Sequence, residues 1–503
     1  MKREKIIIVG AGPGGLTAAM ILARRGFRVT VCEKRDRVGG RNEGLSLGPY
    51  RFDTGPTFLM MKFLLDEMFR EAGRDARDYL EFTRLDPMYK LQFADRYLLP
   101  NTDADAMRAE IRRAFPGEEK GLDRFLQRES KRYRLMYPCL RKDYSTLASM
   151  VRPDLLRALP HLSLGRSLYD VLGDYFRSEE LKLCFTFQSK YLGMSPWSCP
   201  GLFTMIPYVE HAFGIYHVRG GLSRISEAMA KVVAEFGGEI RLKTPVARLA
   251  LRGRTVTGVE FTDGRTEEAD AVVVNADFAH AMTHIVPPGA LRKYTPGNLE
   301  RRDYSCSTFM LYLGVDKRYD LNHHTIIFSR DYGAYLRSVT HDLKLVDDIS
   351  FYLRDASAAD PGLAPSGHSA LYILVPVPNN KSGIDWGKEK ARFRNLVLDA
   401  VVSRAPLKDL REHIREEKVL TPADWEKEYD VFLGATFNLS HKISQMLYLR
   451  PHNAFEELKN CWLVGGGTHP GSGLPTIYES GRISANLISK RFGVPAPPPA
   501  DER

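Results

Sequence analysis

Short apolar runs alternate with glycine-rich turns and helical patterns at the start of the chain. Residues 6–9 form a continuous apolar run, and a helical pattern begins at Leu16. A run of this kind is typical of a parallel strand that is buried on both faces. A second strand, "FRVTVCE", ends at Glu33. This order of elements predicts an α/β fold with a parallel sheet.

The same strand and helix pattern returns much later in the chain. An amphipathic helix is predicted over 222–236, followed by a hairpin, "EIRLKTPVARLAL" and "TVTGVEFTDG", and by a buried strand, "DAVVVNAD". A last strand, "CWLVGGG", precedes a C-terminal helix. The first domain is therefore predicted to be discontinuous.

Two other regions lie between these blocks. Residues 61–214 lack glycine-rich turns between strands and helices. They show helical patterns such as "KFLLDEMFREAG" and "GLDRFLQRESKRYRLMY". Residues 306–445 read as strand-rich, with "STFMLYLGV", "HHTIIFS", "SALYILVPVP" and "YDVFLGATFNL" as predicted strands. We predict a mixed-sheet domain beside the first domain and a helical subdomain that could face a membrane.

Composition narrows the class of protein. The 503 residues carry a net charge of +10, and six cysteines stand singly without a C-x-x-C pair. This argues against a disulfide framework and a cysteine-based zinc site, and it suits a reducing compartment. The apolar run after the basic N-terminus breaks at Gly10, so we expect neither a signal peptide nor a spanning helix. The basic balance suits a membrane surface or an ordinary soluble surface, and no nucleic-acid module is visible.

The first glycine turn predicts dinucleotide binding. Gly10 permits a tight turn, Gly12 lets a pyrophosphate approach the backbone, and Gly15 lets helix and strand pack closely. The helix N-terminus then offers free N–H groups to the anion. Glu33, at the end of the second strand, can accept hydrogen bonds from a ribose. An acid at this position leaves no place for a 2′-phosphate, so NAD and FAD remain.

The stretches after this turn favour FAD. "EKRDRVGGRNEG" places a glycine doublet and Arg41 after the acid, and "FDTGPTFL" follows. A guanidinium and bare backbone amides suit a second approach to a diphosphate. The G-G-R run resembles the extension found in flavoproteins with two dinucleotide domains, the amine oxidase and carotenoid desaturase superfamily.

The C-terminal half resembles the bacterial-type phytoene desaturases, a family of FAD-dependent carotenoid desaturases and isomerases. The resemblance lies in "SCSTFMLYLGV", "HHTIIFS", "DPGLAPSG", "YILVPVPN", "RPHN" and "LVGGGTHPGSGLP". Two stretches depart from the family pattern, "TIYESGRIS" and "LGMSPWSCPGLFTMIPY". These departures concern substrate choice rather than fold.

The resemblance explains a second glycine turn before the last helix. Gly465 to Gly467 are expected against the cofactor, and the helix that begins near Pro475 is expected to aim its N-terminus at the flavin ring. Gly481 and Ala485 are expected to pack that helix on the sheet. By resemblance alone, Val246 contacts the adenine. The predicted cofactor-binding residues are Gly10, Gly12, Pro13, Gly14, Gly15, Glu33, Lys34, Gly40, Arg41, Gly55, Pro56, Thr57, Val246, Gly466, Gly467, Leu474 and Pro475.

The predicted domains follow from these blocks. The FAD-binding domain comprises 1–65, 215–285 and 455–493, the helical subdomain 66–214 and the substrate-binding sheet domain 286–454. Residues 494–503 are predicted to form a disordered tail.

The resemblance implies desaturation of a phytoene-like polyisoprenoid, with a hydride passing to flavin N5 and a proton leaving the neighbouring carbon. A carotenoid cis–trans isomerase, a terminal-methyl carotenoid oxidase and, remotely, a lipid-binding escort are alternatives. No spacing selects a catalytic base among Glu210, His211 and Glu479, so the catalytic residue is unassigned. No metal site is expected, because His323 and His324 have no nearby acidic or cysteine partner.

The expected partners follow from a lipid-soluble substrate. Residues 132–166 interleave Lys and Arg with Leu, Met and Tyr, which suits either an interfacial helix or a helix with a solvated basic face. We expect a lipophilic polyene, a peripheral position on the inner face of the cell membrane in the cytoplasm, and oxygen or a quinone as electron acceptor. The sequence leaves the oligomeric state open.

Overall fold

The computed structural model describes residues 3–495, so residues 496–503 of the predicted tail lie outside the described residues. It confirms an α/β fold. The strands are β1 (Lys5–Val9), β2 (Arg28–Cys32), β3 (Gly44–Leu47), β4 (Tyr50–Asp53), β5 (Leu59–Met60), β6 (Phe82–Arg84), β7 (Lys90–Gln92), β8 (Tyr97–Leu98), β9 (Ile215–Val218), β10 (Glu239–Arg241), β11 (Val246–Arg252), β12 (Thr255–Phe261), β13 (Thr266–Glu268), β14 (Ala271–Val274), β15 (Ser307–Val315), β16 (His324–Ile327), β17 (Phe351–Asp355), β18 (Ser369–Val377), β19 (Ile414–Leu420) and β20 (Cys461–Leu463).

The helices vary from single turns to rods of six turns. They are α1 (Pro13–Arg24), α2 (Lys62–Glu71), α3 (Ala104–Ala114), α4 (Glu119–Leu140), α5 (Pro153–Ala158), α6 (Leu168–Leu172), α7 (Glu179–Cys184), α8 (Met205–Phe213), α9 (Ser223–Glu235), α10 (Phe278–His280), α11 (Pro296–Glu300), α12 (Tyr332–Arg337), α13 (Ala356–Ala359), α14 (Trp386–Arg404), α15 (Leu410–His413), α16 (Pro422–Tyr429) and α17 (Leu474–Arg491).

A five-stranded parallel sheet holds the two ends of the chain together. Its order is β10-β2-β1-β14-β20, and each neighbouring pair is parallel. Ile6 and Ile8 pack with α1, α9 and α17 on one face, while Ile7 and Val9 pack with the β11–β13 sheet on the other. Burial on both faces explains why β1 is continuously apolar. The first domain is discontinuous, because β1, β14 and β20 come from three distant parts of the chain.

A seven-stranded mixed sheet forms the second layer of the molecule. Its order is β19-β15-β18-β17-β16-β7-β8, with only β16 and β7 parallel. Side chains of β15 alternate between two cores: Phe309 packs with α14, and Tyr312 packs with β4. This period of two is the expected one for a strand. The face that carries Tyr312 is turned toward the first domain.

One predicted strand is wrong. The stretch "YDVFLGATFNL" forms a short 3-10 turn over Phe432–Gly434 and no strand. Leu433 and Gly434 have φ values of +56° and +61°, and Asn438 has +65°. Such left-handed backbone cannot continue a strand. A side chain at position 434 would also meet the carbonyl oxygen of Pro422 at 2.3 Å.

The helical region 66–214 contains three strands that the pattern did not reveal. Strands β6, β7 and β8 lie within it, and β7 and β8 complete one edge of the seven-stranded sheet. Strands of two or three residues are too short to show an alternation.

The prediction for Gly481 also needs correction. It packs on helix α1 rather than on the sheet, since a Cβ there would lie 2.5 Å from the Gly14 carbonyl oxygen.

Three further features concern the described part of the chain. None of the helices in residues 3–495 is long and apolar enough to cross a membrane. No group of three or more metal-ligating side chains occurs in these residues. All six cysteines are free thiols.

Candidate cofactor site

Four strands of the parallel sheet end at the same edge, and a polar or glycine residue comes within two positions of each end. Gly10 follows β1, Glu33 follows β2, Asn275 follows β14, and Gly465 comes two residues after β20. Ligands of open α/β sheets bind outside the carboxyl ends of the strands. The chain order therefore brings residues from three distant segments to one place.

A cavity of about 310 Å³ opens at this edge. Most of the residues predicted to bind the cofactor line it, together with residues of the 275–285 and 429–438 segments. The predicted residues on its wall are Gly10, Gly12, Pro13, Gly14, Glu33, Lys34, Gly40, Arg41, Pro56, Val246, Gly466 and Leu474.

Five predicted residues stand just behind the wall. Gly15, Gly55 and Gly467 pack against the backbone or side chains of wall segments, where an added Cβ would come within 2.5 Å of Gly10, Arg41 and Phe278, respectively. Pro475 is the second residue of α17. The Thr57 hydroxyl oxygen lies 2.7 Å from that of Tyr352.

The first glycine turn is fixed by an asparagine that follows the neighbouring strand β14. The Asn275 amide donates to the carbonyl oxygens of Gly10 at 2.9 Å and Gly12 at 3.3 Å. Gly10 has a φ of +97°, which favours glycine. Helix α1 begins with no side chain capping its N-terminus. Its first N–H groups are left for an anion in the cavity.

Glu33 is buried at the end of β2 and holds two backbone donors. The N–H of Ala11 donates to one carboxylate oxygen at 2.8 Å, and the N–H of Arg35 donates to the other at 2.9 Å. Each oxygen keeps a lone pair for a further hydrogen bond. The carboxylate therefore fixes the glycine turn and can accept from ribose hydroxyls in the same cavity.

One buried arginine and one buried histidine hold the second glycine turn. The Arg450 guanidinium donates to the carbonyl oxygens of Gly466 at 2.6 Å and Thr468 at 3.1 Å. The His441 ring accepts from the N–H of Ser472 at 3.0 Å. Helix α17 then begins at Leu474 with no side-chain cap. Two uncapped helix N-termini, one from each end of the chain, thus face one cavity.

Arg35 and Arg41 are the two arginines on the cavity wall within residues 3–495. The Arg41 guanidinium donates to the carbonyl oxygen of Thr436 at 2.8 Å and lies 3.9 Å from the Asp277 carboxylate. Burial lowers the pKa of Arg41 and raises that of Asp277. The Asp277 carboxylate is beyond hydrogen-bond distance, so the guanidinium keeps N–H donors for a diphosphate.

Three tyrosines of the seven-stranded sheet hold the loop 54–57 against the cavity. The Tyr312 hydroxyl donates to the carbonyl oxygen of Thr54 at 2.5 Å, and that of Tyr372 donates to Gly55 at 2.9 Å. The Tyr352 hydroxyl is bonded to Thr57. The loop therefore joins the sheet of the second domain to the cofactor cavity.

Asn275, Asp277 and Asn438 are site residues that the sequence reasoning missed. The first two lie at the end of the stretch "DAVVVNAD", just after its strand Ala271–Val274, so the rule about carboxyl ends could have found them. Asn438 lies in the segment that was wrongly predicted as a strand. No local signal marks it, because its place depends on the left-handed turn at 433–434.

The three acid or base candidates lie in different surroundings. Glu479 is buried in an ion pair with Arg482. His211 is buried with its Nδ1 3.1 Å from the Asn101 carbonyl oxygen, and burial lowers its pKa to about 4. Glu210 is fully buried and accepts from Tyr89 and Gln188, each at 2.8 Å, and burial raises its pKa to about 7. None of the three lines the cofactor cavity.

The residues present fit FAD. A cradle of glycines admits the backbone approach of a diphosphate, since a Cβ at Gly12 or Gly14 would lie 3.1 Å from Asn275. Glu33 suits an adenosine ribose, and the uncapped α1 suits the diphosphate. The uncapped α17 suits the negative charge of a reduced flavin ring.

Comparisons with known proteins agree with this geometry. A family described as "Flavin containing amine oxidoreductase" matches residues 13–489. The chain is 56% identical over 491 residues to a 4,4'-diapophytoene desaturase (4,4'-diapolycopene-forming) of Methylomonas sp, covering 98% of this chain and 96% of that protein. It is 38% identical over 496 residues to an all-trans-zeta-carotene desaturase of Myxococcus xanthus, covering 97% and 94%.

A solved structure supports the fold alone. An oxidoreductase from Methanosarcina mazei superposes with a TM-score of 0.62 at 18% identity, covering 97% of this chain and 100% of that one. Together, the two-turn cavity and these matches place the protein: the chain belongs to the flavin-containing amine oxidoreductase family, among its bacterial carotenoid desaturases.

Proposed function

We propose that the protein is an FAD-dependent desaturase of a linear polyisoprenoid. The observation that carries this function is the pair of uncapped helix N-termini, α1 and α17, that face one cavity. A protein that merely escorts a lipid has no need for both turns and for Glu33. When bound, FAD supplies the acceptor for a hydride from an allylic carbon, while the neighbouring carbon loses a proton.

The chain's own residues bind and orient the cofactor. Gly12 and Arg41 hold the diphosphate, and Glu33 holds the adenosine ribose. The N-terminus of α17 would stabilise negative charge on a bound flavin ring by about 0.3–2 kcal/mol. The tyrosines of the seven-stranded sheet hold the loop 54–57 beside the cofactor cavity.

An aromatic cluster beside α4 and α8 suits the wall of a channel for an apolar chain. Phe63, Tyr133, Tyr137, Tyr208 and Phe213 are all half-buried and touch one another, with ring centroids 5.1–5.9 Å apart. Apolar ligands are held chiefly by such surfaces. We assign the substrate's hydrocarbon chain to this cluster.

The substrate is proposed to be of the 4,4'-diapophytoene type. The identity to the Methylomonas protein, 56%, exceeds the 38% to the zeta-carotene desaturase. The two departures from the family pattern lie in α17 and in the 192–208 segment, and the second ends at Tyr208 of the aromatic cluster. Oxygen or a quinone is proposed as the electron acceptor.

An exposed apolar patch supports peripheral attachment to the inner face of the cell membrane. It comprises Leu147, Val151, Leu156, Leu159, Leu164, Ile443 and Leu449. Segments 147–151 and 447–449 touch, so the patch is continuous there. The exposed Arg157 and Lys442 lie among these residues and suit an anionic leaflet.

The patch is also close to the cofactor turn. The His469 ring lies 2.9 Å from the carbonyl oxygen of Lys142, and it packs on Tyr144 with centroids 5.1 Å apart. A substrate dissolved in lipid would therefore enter near the site. We name this patch the membrane patch.

The function is tested with purified protein and liposomes that contain either 4,4'-diapophytoene or phytoene, under anaerobic conditions. The expected result is a flavin spectrum that bleaches in step with new long-wavelength polyene bands, faster with 4,4'-diapophytoene. Polyene isomers without bleaching would instead favour an isomerase. An oxygenated terminal methyl group would favour the oxidase. A protein that takes up no flavin would exclude the enzyme.

A further inference from the structure

A chain of four hydrogen-bonded side chains runs from the cofactor loop into the seven-stranded sheet. The Thr57 hydroxyl lies 2.7 Å from that of Tyr352, which lies 2.5 Å from Nδ1 of His324. Nε2 of His324 lies 2.8 Å from Nδ1 of His323. Every link joins groups that can both donate and accept.

The hydrogen-bonded series begins at Thr57, beside the cofactor cavity. Thr57 is the next residue after Pro56, which lines the cofactor cavity. It is nearly inaccessible, at 7% exposure, and His324 is 1% exposed. Phe58 covers the His324 ring with centroids 5.2 Å apart. Water is therefore kept from the first links, and a proton released there needs a protein route.

The hydrogen-bonded series ends at His323, which lies among charged groups. Nε2 of His323 has no hydrogen-bond partner among the described residues. The His323 ring lies 5.1 Å from that of His217, whose Nε2 is 3.1 Å from the Asp360 carboxylate. On the neighbouring strand β17, Arg354 pairs with His324 in register and binds Asp53 at 2.8 Å.

Both linking histidines are neutral at pH 7. Burial and then the Arg354 charge hold the pKa of His324 well below the usual range, and burial, His324 and Arg354 do the same for the pKa of His323. A neutral imidazole carries one N–H donor and one free lone pair, which is what a proton relay requires. A permanently protonated ring would block the chain.

We propose that Thr57, Tyr352, His324 and His323 form a relay that carries away the proton released in desaturation. This inference rests on the proposed function. The electron pair of the broken C–H bond forms the new double bond, and the proton enters at the Thr57 oxygen. Each link passes one proton and receives one, so the inner links keep their charge. The proton leaves at Nε2 of His323, and the Asp360 carboxylate, reached through the neighbouring His217 ring, is the base that finally accepts it.

The test separates hydride transfer from proton release. In an anaerobic single turnover, flavin bleaching reports the hydride and a pH-indicator dye reports the proton. Tyr352→Phe should delay proton release at least about tenfold relative to wild type and lower the solvent deuterium effect on that phase. Thr57→Val should do the same, while Thr57→Ser should restore the wild-type rate.

Tyr372→Phe is the matched control. It removes a phenol that holds the same loop, through Gly55, and packs on Tyr352 with centroids 5.7 Å apart, yet it is not in the chain. In Tyr372→Phe, the proton release that the dye reports should follow flavin bleaching with the same delay as in the wild type. A purely structural role of Tyr352 predicts equal behaviour of the two variants, which would overturn the relay.

A second readout does not depend on turnover. In protein labelled with ¹⁵N-histidine, the ring N–H protons of His323 and His324 should be visible and slow to exchange with water. Tyr352→Phe should shift the ¹⁵N resonance of the unprotonated Nδ1 of His324, because this atom loses its hydrogen-bond donor, and Tyr372→Phe should not. Fast exchange in the wild type would contradict the chain. An inactive wild type overturns the proposed function together with the relay, whereas an active wild type with equal variants overturns the relay alone.

Discussion

At the residue scale, Glu33 links the peptide to the ligand. Its carboxylate accepts from the backbone of Ala11 in the glycine turn and from Arg35, while its burial keeps water from competing. A hydrogen bond to a charged group contributes about 1.5–3 kcal/mol. One side chain therefore fixes the glycine turn and can accept hydrogen bonds from the ribose.

Glu33→Gln should weaken FAD binding by about tenfold to a hundredfold, because the amide replaces one acceptor by a donor. Flavin fluorescence during titration of the stripped protein measures this change. Asp36→Asn is the control, since Asp36 is exposed three residues farther on. Equal affinity of Glu33→Gln and wild type would remove Glu33 from the site.

Glu210 predicts a pH dependence of stability at the same scale. Burial raises its pKa from 4.5 to about 7. The folded state then holds a proton that the unfolded state has lost, so this contribution to stability is complete below pH 4.5 and is lost as the pH rises to about 7. The loss amounts to about 3 kcal/mol.

Glu210→Gln should remove this dependence, since the amide stays neutral. Melting temperatures at pH 5 and pH 8 measure it: the variant should gain relative to wild type at pH 8. Gln188 and Tyr89 donate to the same oxygen of Glu210, so their hydrogen bonds survive the substitution. An identical pH profile of the two proteins would show that Glu210 is ionised in the folded state.

At the element scale, helices α1 and α17 must pack closely to aim both N-termini at one cavity. A Cβ on Gly481 would lie 2.5 Å from the Gly14 carbonyl oxygen and 2.8 Å from the Thr17 Cβ. The helical preference of alanine over glycine is about 1 kcal/mol. Overpacking costs about 1–3 kcal/mol, so the steric term prevails.

Gly481→Ala should therefore weaken FAD binding and lower the melting temperature. The control is Gly297→Ala, because a Cβ on this glycine of α11 meets no atom within 4 Å. FAD titration measures the affinity of both variants, and thermal melts measure their melting temperatures. A Gly481→Ala protein with wild-type affinity would show that α17 can shift without disturbing the cavity.

The membrane patch is also a property of elements, since it joins two short segments. Leu147 and Val151 are 69% and 66% exposed. Replacing both by Glu removes apolar surface and adds negative charge, so binding to vesicles with anionic lipid should fall at least about tenfold. Leu242→Glu is the control, at a leucine 40% exposed in the first domain.

Co-sedimentation with vesicles measures this binding. The double variant should keep its affinity for FAD, because neither residue lines the cofactor cavity. Equal loss in the Leu242 control would show that charge alone governs attachment. No loss in the double variant would place the membrane contact elsewhere on the molecule.

At the scale of the whole molecule, the sequence could predict what is local. The first turn, Glu33 and the strand "DAVVVNAD" were visible because each lies within one short stretch. The hydroxyl groups of Tyr312 and Tyr372 that hold the loop 54–57 were not, since more than 250 residues separate the partners. Strands β7 and β8 exist only because a distant sheet has an open edge for them.

The same long-range assembly predicts how the cofactor acts on stability. The cavity wall combines residues near Gly10, Val246 and Gly466, so FAD bridges segments that are far apart in the chain. A ligand that binds only the folded state stabilises it by about 2.7 kcal/mol at a hundred times its dissociation constant. The melting temperature should thus rise by several degrees with FAD.

Thermal melts of stripped protein over a series of FAD concentrations measure this coupling. The whole chain should shift in one transition, because the three tyrosines tie the loop of the first domain to the seven-stranded sheet. NADPH is the control, since Glu33 stands where a 2′-phosphate would need a cation. Two separate transitions, with only one moved by FAD, would mean that the sheets unfold independently. Because Tyr312 and Tyr372 contribute to the tie in parallel, removing both hydroxyls should uncouple the transitions more than either single change.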